Sequence, residues 1–191
     1  YAPALAGYAS DAVKVFSRHA EAMPGALPFA QLLAGVESPA VSQAFEAIQP
    51  DDPAKYLLTS GSTGHPKVVI NTHRMLCANQ QMMAQTWRFL AHEKPVLVDW
   101  LPWSHTFGGN HNLHMVLCHG GTLYIDEGRP VPGLIDKTVR NLRDVQPTML
   151  FNVPRGFDML LPFLEADEAL AAQVLARLRL AFYTSAELST S

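Results

Sequence analysis

The sequence predicts an α/β fold in which a mostly parallel sheet is flanked by helices. From residue 56 onward, short β-branched and apolar runs alternate with segments of helical periodicity, and short loops separate them. This alternation is typical of βαβ units and therefore of parallel strands. The chain has 191 residues, of which 48% are hydrophobic, so it is long enough to bury a sizeable core.

Composition excludes several classes of protein. A formal net charge of −3 gives no basic field, so nucleic-acid binding is not predicted. Charged residues make up only 16%, which leaves little polar surface and predicts self-association. No membrane span and no signal peptide are expected from the apolar pattern. Cys77 and Cys118 lie in apolar helical contexts, so we expect buried thiols in a reducing compartment, the cytoplasm.

We predict that residues 1–55 form a helical segment that packs on a larger α/β lobe, and that residues 56–191 form this lobe. Ser10 is a suitable N-cap for a helix over residues 11–22, because apolar side chains recur there at helical spacing. Glycine and proline then punctuate the chain. A second amphipathic helix is predicted over about residues 41–48.

The most informative stretch is residues 56–70, YLLTSGSTGHPKVVI, in which two strand-like runs flank a loop of small and hydroxylated residues. Glycines let such a loop turn tightly and bring its N–H groups close to phosphate oxygens, while the lysine supplies a positive charge. The spacing of the common P-loop and of the nucleophile elbow is missing. A polyphosphate-binding loop and a plain flexible linker are both open at this point. The candidate nucleotide-binding residues are Thr59, Ser60, Gly61, Ser62, Thr63, Gly64 and Lys67.

The remaining elements are predicted in a regular order. Thr72 or Asn71 is expected to cap a helix that runs to about residue 91. Residues 101–110 are expected to form a loop punctuated by proline and glycine. Strands are predicted at 96–98, 122–125, 148–153 and 178–183, and helices at 111–118, 133–145, 154–164 and 167–177.

Ligands of parallel sheets bind beyond the carboxyl ends of strands, so the segments after Leu58, Trp100 and Tyr183 are expected to converge on one crevice. The second of these, WLPWSHTFGGN, places His105 among aromatic residues and glycines, although a structural histidine is also consistent with it. His111 and His114 are three residues apart and could share a helix face. Zinc sites favour tighter Cys/His pairs, so no metal site is predicted. These histidines are expected instead to line or cap a ligand pocket, or simply to pack.

The string TSGSTGHPK at residues 59–67 closely resembles the TSGSTGxPK phosphate loop of the adenylate-forming superfamily. This superfamily contains AMP-forming acyl- and aryl-CoA synthetases, luciferases and the adenylation domains of peptide synthetases. One departure is Val68, where the family usually has glycine. The resemblance covers about residues 40–188 and implies an internal piece of the large N-terminal domain of an AMP-forming synthetase. Residues 70–83 and 99–130 look most like feruloyl-CoA synthetases, which implies a hydroxycinnamic acid as substrate.

The resemblance also implies roles for individual residues. Lys67 and His105 would be catalytic, with His105 beside the acyl carboxylate. Phe107 and Asn110 are then expected, with His105, at the wall of the acid pocket. Ser185 and Ala186 are expected to contact adenine, in a segment that has Thr184, Ser185 and Glu187 where Gly, Gly and Pro are usual.

ATP, Mg²⁺ and coenzyme A would be substrates and cofactor of the full-length enzyme. The family's magnesium-binding Tyr-Gly-x-Thr-Glu motif, its ribose-binding Asp and its adenylation Lys do not occur in this chain. The resemblance therefore implies that the isolated piece is inactive. Two alternatives stay open: a parent that loads a carrier protein, and a non-catalytic piece that binds nucleotide weakly or serves as a folding unit.

Overall fold

The computed structural model of the chain describes residues 12–59 and 67–184. The chain divides into two compact units, Tyr1–Ile48 and Gln49–Ser191. Several of the predicted site residues lie outside the described residues: Ser60, Gly61, Ser62, Thr63 and Gly64 of the phosphate loop, and the adenine contacts Ser185 and Ala186.

The first unit differs from the predicted helical segment. The helix predicted over residues 11–22 is wrong: the described part contains strand β1, Val15–Phe16, and a 3₁₀ turn, Ala20–Ala22. His19 adopts a left-handed backbone conformation with φ of 58°, which a continuous right-handed helix cannot contain. The second predicted helix is confirmed. Beyond β1 the unit contains β2, Leu27–Pro28, parallel to β1, and helices α1, Phe29–Leu33, and α2, Pro39–Glu46.

The second unit begins with an antiparallel hairpin around the predicted phosphate loop. Strand β3, Pro53–Thr59, pairs with β4, Lys67–Thr72. Residues 60–66 are too short for the crossover that a parallel pair would need, so antiparallel pairing is the outcome. The prediction that the run from Tyr56 to Leu58 is buried is wrong for its two ends, which are 61% and 69% exposed.

Four short strands after the hairpin form two parallel pairs, β5, Val96–Asp99, with β6, Thr122–Ile125, and β7, Met149–Asn152, with β8, Leu180–Tyr183, which confirms the predicted fold class. Thr148 joins β5 to β7, because its N–H donates to the Val96 carbonyl at 3.0 Å and its hydroxyl accepts from the Val96 N–H at 2.8 Å. The two pairs therefore lie next to each other, with β5 beside β7.

The helices of this unit largely match the predicted positions. The cap at Thr72 is confirmed, since its hydroxyl accepts the Met75 N–H at 3.3 Å. The loop predicted over residues 101–110 is wrong in its second half, where a π-helix, Thr106–Leu113, begins. The α-helices are α3, His73–Thr86; α4, His114–His119; α5, Ile135–Asp144; α6, Pro154–Ala166; and α7, Glu168–Leu175; a 3₁₀ turn, Arg88–Ala91, follows α3.

Two hydrophobic clusters form the core of the second unit. One surrounds the π-helix and includes the fully buried Met115 and Met149, and the other joins α5, α6 and α7. The prediction that Cys77 and Cys118 are buried is wrong. Both thiols are exposed, because they lie along an open groove between α3 and α4 that no other described residue covers. None of the helices in the described ranges is both long and apolar enough to cross a membrane.

Candidate functional site

A cavity of about 400 Å³ opens where strands β5 and β8 end. Its walls come from α3, from the π-helix that follows β5, and from the end of β8. The predicted convergence of the segments after Trp100 and Tyr183 is therefore confirmed, whereas the segment after Leu58 lies outside the described residues. The lining residues are Asn79, His105, Thr106, Phe107, Asn110, His111, Phe182 and Thr184.

The π-helix brings three predicted residues, His105, Phe107 and Asn110, to this cavity. His105 is exposed at the start of the helix, where its Nδ1 accepts the Phe107 N–H at 3.2 Å. Glycine is needed in the first turn, because a Cβ on Gly108 would lie only 2.6 Å from the Pro102 carbonyl oxygen. A π-helical turn of this kind is often found at functional sites.

Aromatic rings form much of the cavity wall, with His111 at their centre. The His111 ring lies 5.0 Å from the ring of Phe151, 5.6 Å from Phe107 and 5.8 Å from Phe182, centroid to centroid. Trp87 approaches the same ring at 5.6 Å. Rings at these distances attract one another, so Phe107, His111 and Phe182 give part of the cavity wall an aromatic surface beside its polar lining residues.

A chain of hydrogen bonds leads from His111 into the core. Its Nδ1 lies 2.8 Å from Asn112 Oδ1, and Asn112 Nδ2 donates to Asp99 Oδ2 at 3.0 Å. The other Asp99 oxygen accepts the Leu101 N–H at 3.1 Å. An ionised carboxylate only accepts, so the Asn112 amide nitrogen faces Asp99 and its oxygen faces the ring. Nδ1 of His111 therefore carries the proton.

Burial shifts the pKa of His111 and of Asp99, and also that of His114 on the neighbouring helix α4. It lowers the pKa of His111 below the ordinary 6.5, while the hydrogen bond to Asn112 acts in the opposite direction. It raises the pKa of Asp99 above 3.8, against the hydrogen bonds from Asn112 and Leu101. The pKa of His114 is lowered by burial and by the nearby Lys55. The His111 ring is accordingly neutral at neutral pH.

Asn110 connects the cavity to the hairpin and to α3. Its amide nitrogen donates a short hydrogen bond to Oδ1 of Asn71, which is buried in β4. The backbone carbonyl oxygen of Asn110 accepts a hydrogen bond from Gln80 Nε2 at 2.8 Å. The strand that begins with Lys67 is thus tied to the wall of the cavity.

The structure does not bring all predicted site residues together. Lys67 stands at the start of β4, in register with Thr59, and is not among the residues that line the cavity. Within residues 12–59 and 67–184, no three His, Cys, Asp or Glu side chains come together in a way that could hold a metal ion. His111 packs in the aromatic wall, and His114 lines the groove beside α3.

Sequence reasoning did not name Asn79, Thr106 or Phe182 as lining residues, and it included Thr184 only within the segment after Tyr183 that was expected to reach the crevice. It weighed His111 as a metal ligand and, together with the neighbouring histidines, as a residue that lines or caps the acid pocket or simply packs; the cavity lining confirms the first part of that second expectation. Two signals could have found them. Phe182 and Thr184 stand at the carboxyl end of a predicted parallel strand, which is where ligands bind. His111 follows His105 in the same segment, so a helix there would carry both along one cavity.

Parallel strands of an α/β fold with a ligand-sized cavity beyond their carboxyl ends are a common arrangement for binding a small molecule. The model of the AMP-binding enzyme family matches residues 7–191. The chain therefore belongs to the AMP-binding enzyme family.

Individual relatives agree with this family. The long-chain-fatty-acid–CoA ligase heimdall of Drosophila melanogaster is 32% identical over 134 residues, which cover 70% of this chain and 19% of that protein. The medium-chain-fatty-acid–[acyl-carrier-protein] ligase TtuA of Teredinibacter turnerae is 43% identical over 60 residues, 31% of this chain and 9% of that protein. A malonyl-CoA ligase solved with methylmalonyl-CoA and AMP is 31% identical with a TM-score of 0.57, over 71% of this chain and 28% of that one. The chain thus spans less than a third of each.

Proposed function

We propose that the protein containing this chain is an AMP-forming acid–CoA ligase that activates a hydroxycinnamate such as ferulate. The observation that carries the proposal is the aromatic-walled cavity in a member of the AMP-binding enzyme family. A flat aryl ring gains offset or edge contacts against rings such as Phe107 and Phe182, which a flexible alkyl chain gains less well.

In the first step, the β- and γ-phosphates of ATP bind the loop of residues 59–67. The acid carboxylate lies beside His105, and one of its oxygens attacks the α-phosphorus. The bond from that phosphorus to the bridging oxygen breaks, pyrophosphate leaves and an acyl-adenylate forms. Lys67 and the loop N–H groups offset the charge on the leaving pyrophosphate, and the backbone of Ser185 and Ala186 contacts the adenine.

In the second step, the thiolate of coenzyme A attacks the acyl carbonyl carbon and AMP leaves, so that a thioester forms. Phosphoryl chemistry of this kind uses Mg²⁺ to neutralise charge. Among the described residues no three His, Cys, Asp or Glu side chains could hold a metal ion, so no step of this mechanism is placed on Mg²⁺.

Carboxylate-dependent ATP–pyrophosphate exchange tests the first step directly. It should be measured on this chain and, where the natural protein is longer, on that protein, with ferulate, p-coumarate, benzoate and octanoate. We expect exchange with the hydroxycinnamates in the longer protein and none in the chain alone, which lacks the magnesium, ribose and adenylation-lysine motifs. Absence of exchange with every acid would overturn the proposal.

One relative favours a second candidate, an adenylating enzyme that loads a carrier protein. The name of the Teredinibacter relative gives an acyl-carrier protein as its acceptor. AMP release that requires coenzyme A supports the first candidate. Release that requires a phosphopantetheinyl carrier protein supports the second.

We also propose a cytoplasmic location, which the two free cysteines support. The proposed partners are the acid, ATP and coenzyme A, together with self-association through exposed apolar side chains such as Leu58 and Leu117.

A further inference from the structure

We propose that His111 recognises a hydroxyl group on the aromatic ring of the acid, and that Asn112 and Asp99 hold the imidazole in the state that accepts this hydrogen bond. The inference rests on the proposed function, because it takes the occupant of the cavity to be an aromatic acid. It goes further in naming the residue that separates hydroxylated acids from unsubstituted ones.

The first step of the argument is the tautomer. Asn112 is fully buried, and its amide nitrogen donates to Asp99 at 3.0 Å. This leaves its oxygen 2.8 Å from Nδ1 of His111, so the Nδ1 proton points away from the cavity toward Asn112. A neutral imidazole with its proton on Nδ1 has an acceptor at Nε2.

The second step is position. His111 lines the cavity and belongs to the same π-helix that His105 caps. With the acid carboxylate beside the exposed His105, the ring of the acid extends along this helix toward His111. The acid then lies against Phe107 and Phe182, and the ring hydroxyl reaches Nε2.

The third step is the surroundings. His111 is a polar ring that packs against Trp87, Phe107, Phe151 and Phe182. A hydrogen bond formed among apolar rings is well shielded from water, and an acceptor left without its donor there is costly. An acid with no ring hydroxyl therefore binds more weakly, and so does an acid whose hydroxyl is methylated.

Asn112 and Asp99 act through His111 and are positioning residues. A leucine at position 112 would remove the acceptor that holds the Nδ1 proton, and the ring could then take either tautomer. Only about half of the molecules would then have their acceptor at Nε2, so the preference for the hydroxylated acid would fall although the imidazole remains in place. This separates the positioning role from simple packing.

Isothermal titration calorimetry without ATP tests the inference on this chain and on any longer natural protein. The probes are p-coumarate, cinnamate and 4-methoxycinnamate. We expect p-coumarate to bind about five- to tenfold more tightly than either of the others, which corresponds to one neutral hydrogen bond. In His111→Phe the ratio should fall to about one, and His111→Gln, which keeps an acceptor, should restore part of it.

A matched control is His92→Phe, the same substitution at an exposed position outside the cavity, which should leave the ratio unchanged. Nitrogen NMR of histidine gives a second measurement that does not depend on a mutant. We expect the Nδ1–H tautomer for His111 in the wild type and a mixture of tautomers in Asn112→Leu. An Nε2–H tautomer in the wild type would overturn the inference even if His111→Phe failed to fold.

The outcomes separate this inference from the proposed function. If none of the acids binds, the recognition by His111 fails, and ATP–pyrophosphate exchange decides separately whether the ligase proposal stands. If the acids bind but p-coumarate and cinnamate bind equally, the recognition by His111 fails while the ligase proposal stands. If His111→Phe weakens all three acids by the same factor, the ring only packs and the inference is overturned.

Discussion

The aromatic cavity and the β3–β4 hairpin belong to the same compact unit but are built in opposite ways. Around the cavity the apolar side chains are buried, and Met115 and Met149 are 0% exposed. On the hairpin, large apolar side chains face outward in the described structure: Leu58 is 69% and Val68 57% exposed. The cavity is therefore shaped by side-chain packing, whereas the hairpin owes its shape to the hydrogen bonds between its strands.

The largest expected difference between the two regions is in stability. Met149→Ala removes a fully buried side chain from the cluster around the cavity and should lower the free energy of unfolding by about 2–5 kcal/mol. Val68→Ala, opposite Leu58 on the exposed face of the hairpin, should change it by no more than about 0.5 kcal/mol. Urea denaturation of both variants measures this. Equal losses would show that the hairpin is packed in solution.

Function should show the reverse contrast. In a longer natural protein that shows exchange, Lys67→Ala on the exposed hairpin should lower acid-dependent ATP–pyrophosphate exchange on the order of 10²-fold, because a preorganised charge opposite the leaving pyrophosphate is lost. The thermal midpoint should change little. Lys94→Ala, an exposed lysine away from the loop, is the matched control. Full exchange in Lys67→Ala would remove the role assigned to this lysine.

The contact between the two regions gives an intermediate effect. Asn71→Ala removes the acceptor for the amide of the half-buried Asn110 and so loses one hydrogen bond, which should cost about 0.5–1.5 kcal/mol. Gln85→Ala, at an exposed position of α3, serves as the comparison. Similar unfolding free energies for the two variants would mean that hairpin and cavity are not coupled through this bond.

The smallest effect is on the pH dependence of stability. The lowered pKa of His111 means that the unfolded chain binds more protons below pH 6.5, so stability falls as the pH drops through that value. Asp99 acts in the opposite sense, since its raised pKa lets the folded chain hold a proton above pH 3.8. His111→Phe should flatten the loss below pH 6.5, measured by denaturation between pH 5 and 8. If the free energy of unfolding depends on pH in the same way in His111→Phe and in the wild type, His111 is not the group whose lowered pKa causes this loss.

Much of the fold could be predicted because its signals are local. The β-branched run at 122–125 and the hydroxyl cap at Thr72 each depend on neighbours in the chain, and both predictions agree with the structure. The prediction of a helix over residues 11–22 was wrong because the spacing of apolar residues does not indicate that His19 adopts a left-handed conformation. The prediction that Cys77 and Cys118 are buried was wrong because the exposure of a helix face depends on which distant element covers it.

The sequence by itself determined the order of strands and helices, the parallel sheet and the position of His105 at a strand exit, since short-range periodicity and turn chemistry are written in consecutive residues. The tertiary structure alone decided that residues 106–113 form a π-helix and that His111 lies among rings from three other segments. It also decided that Asn112 orients that ring through Asp99, which lies 13 residues earlier in the chain. Such contacts depend on long-range packing of side chains that no local pattern encodes.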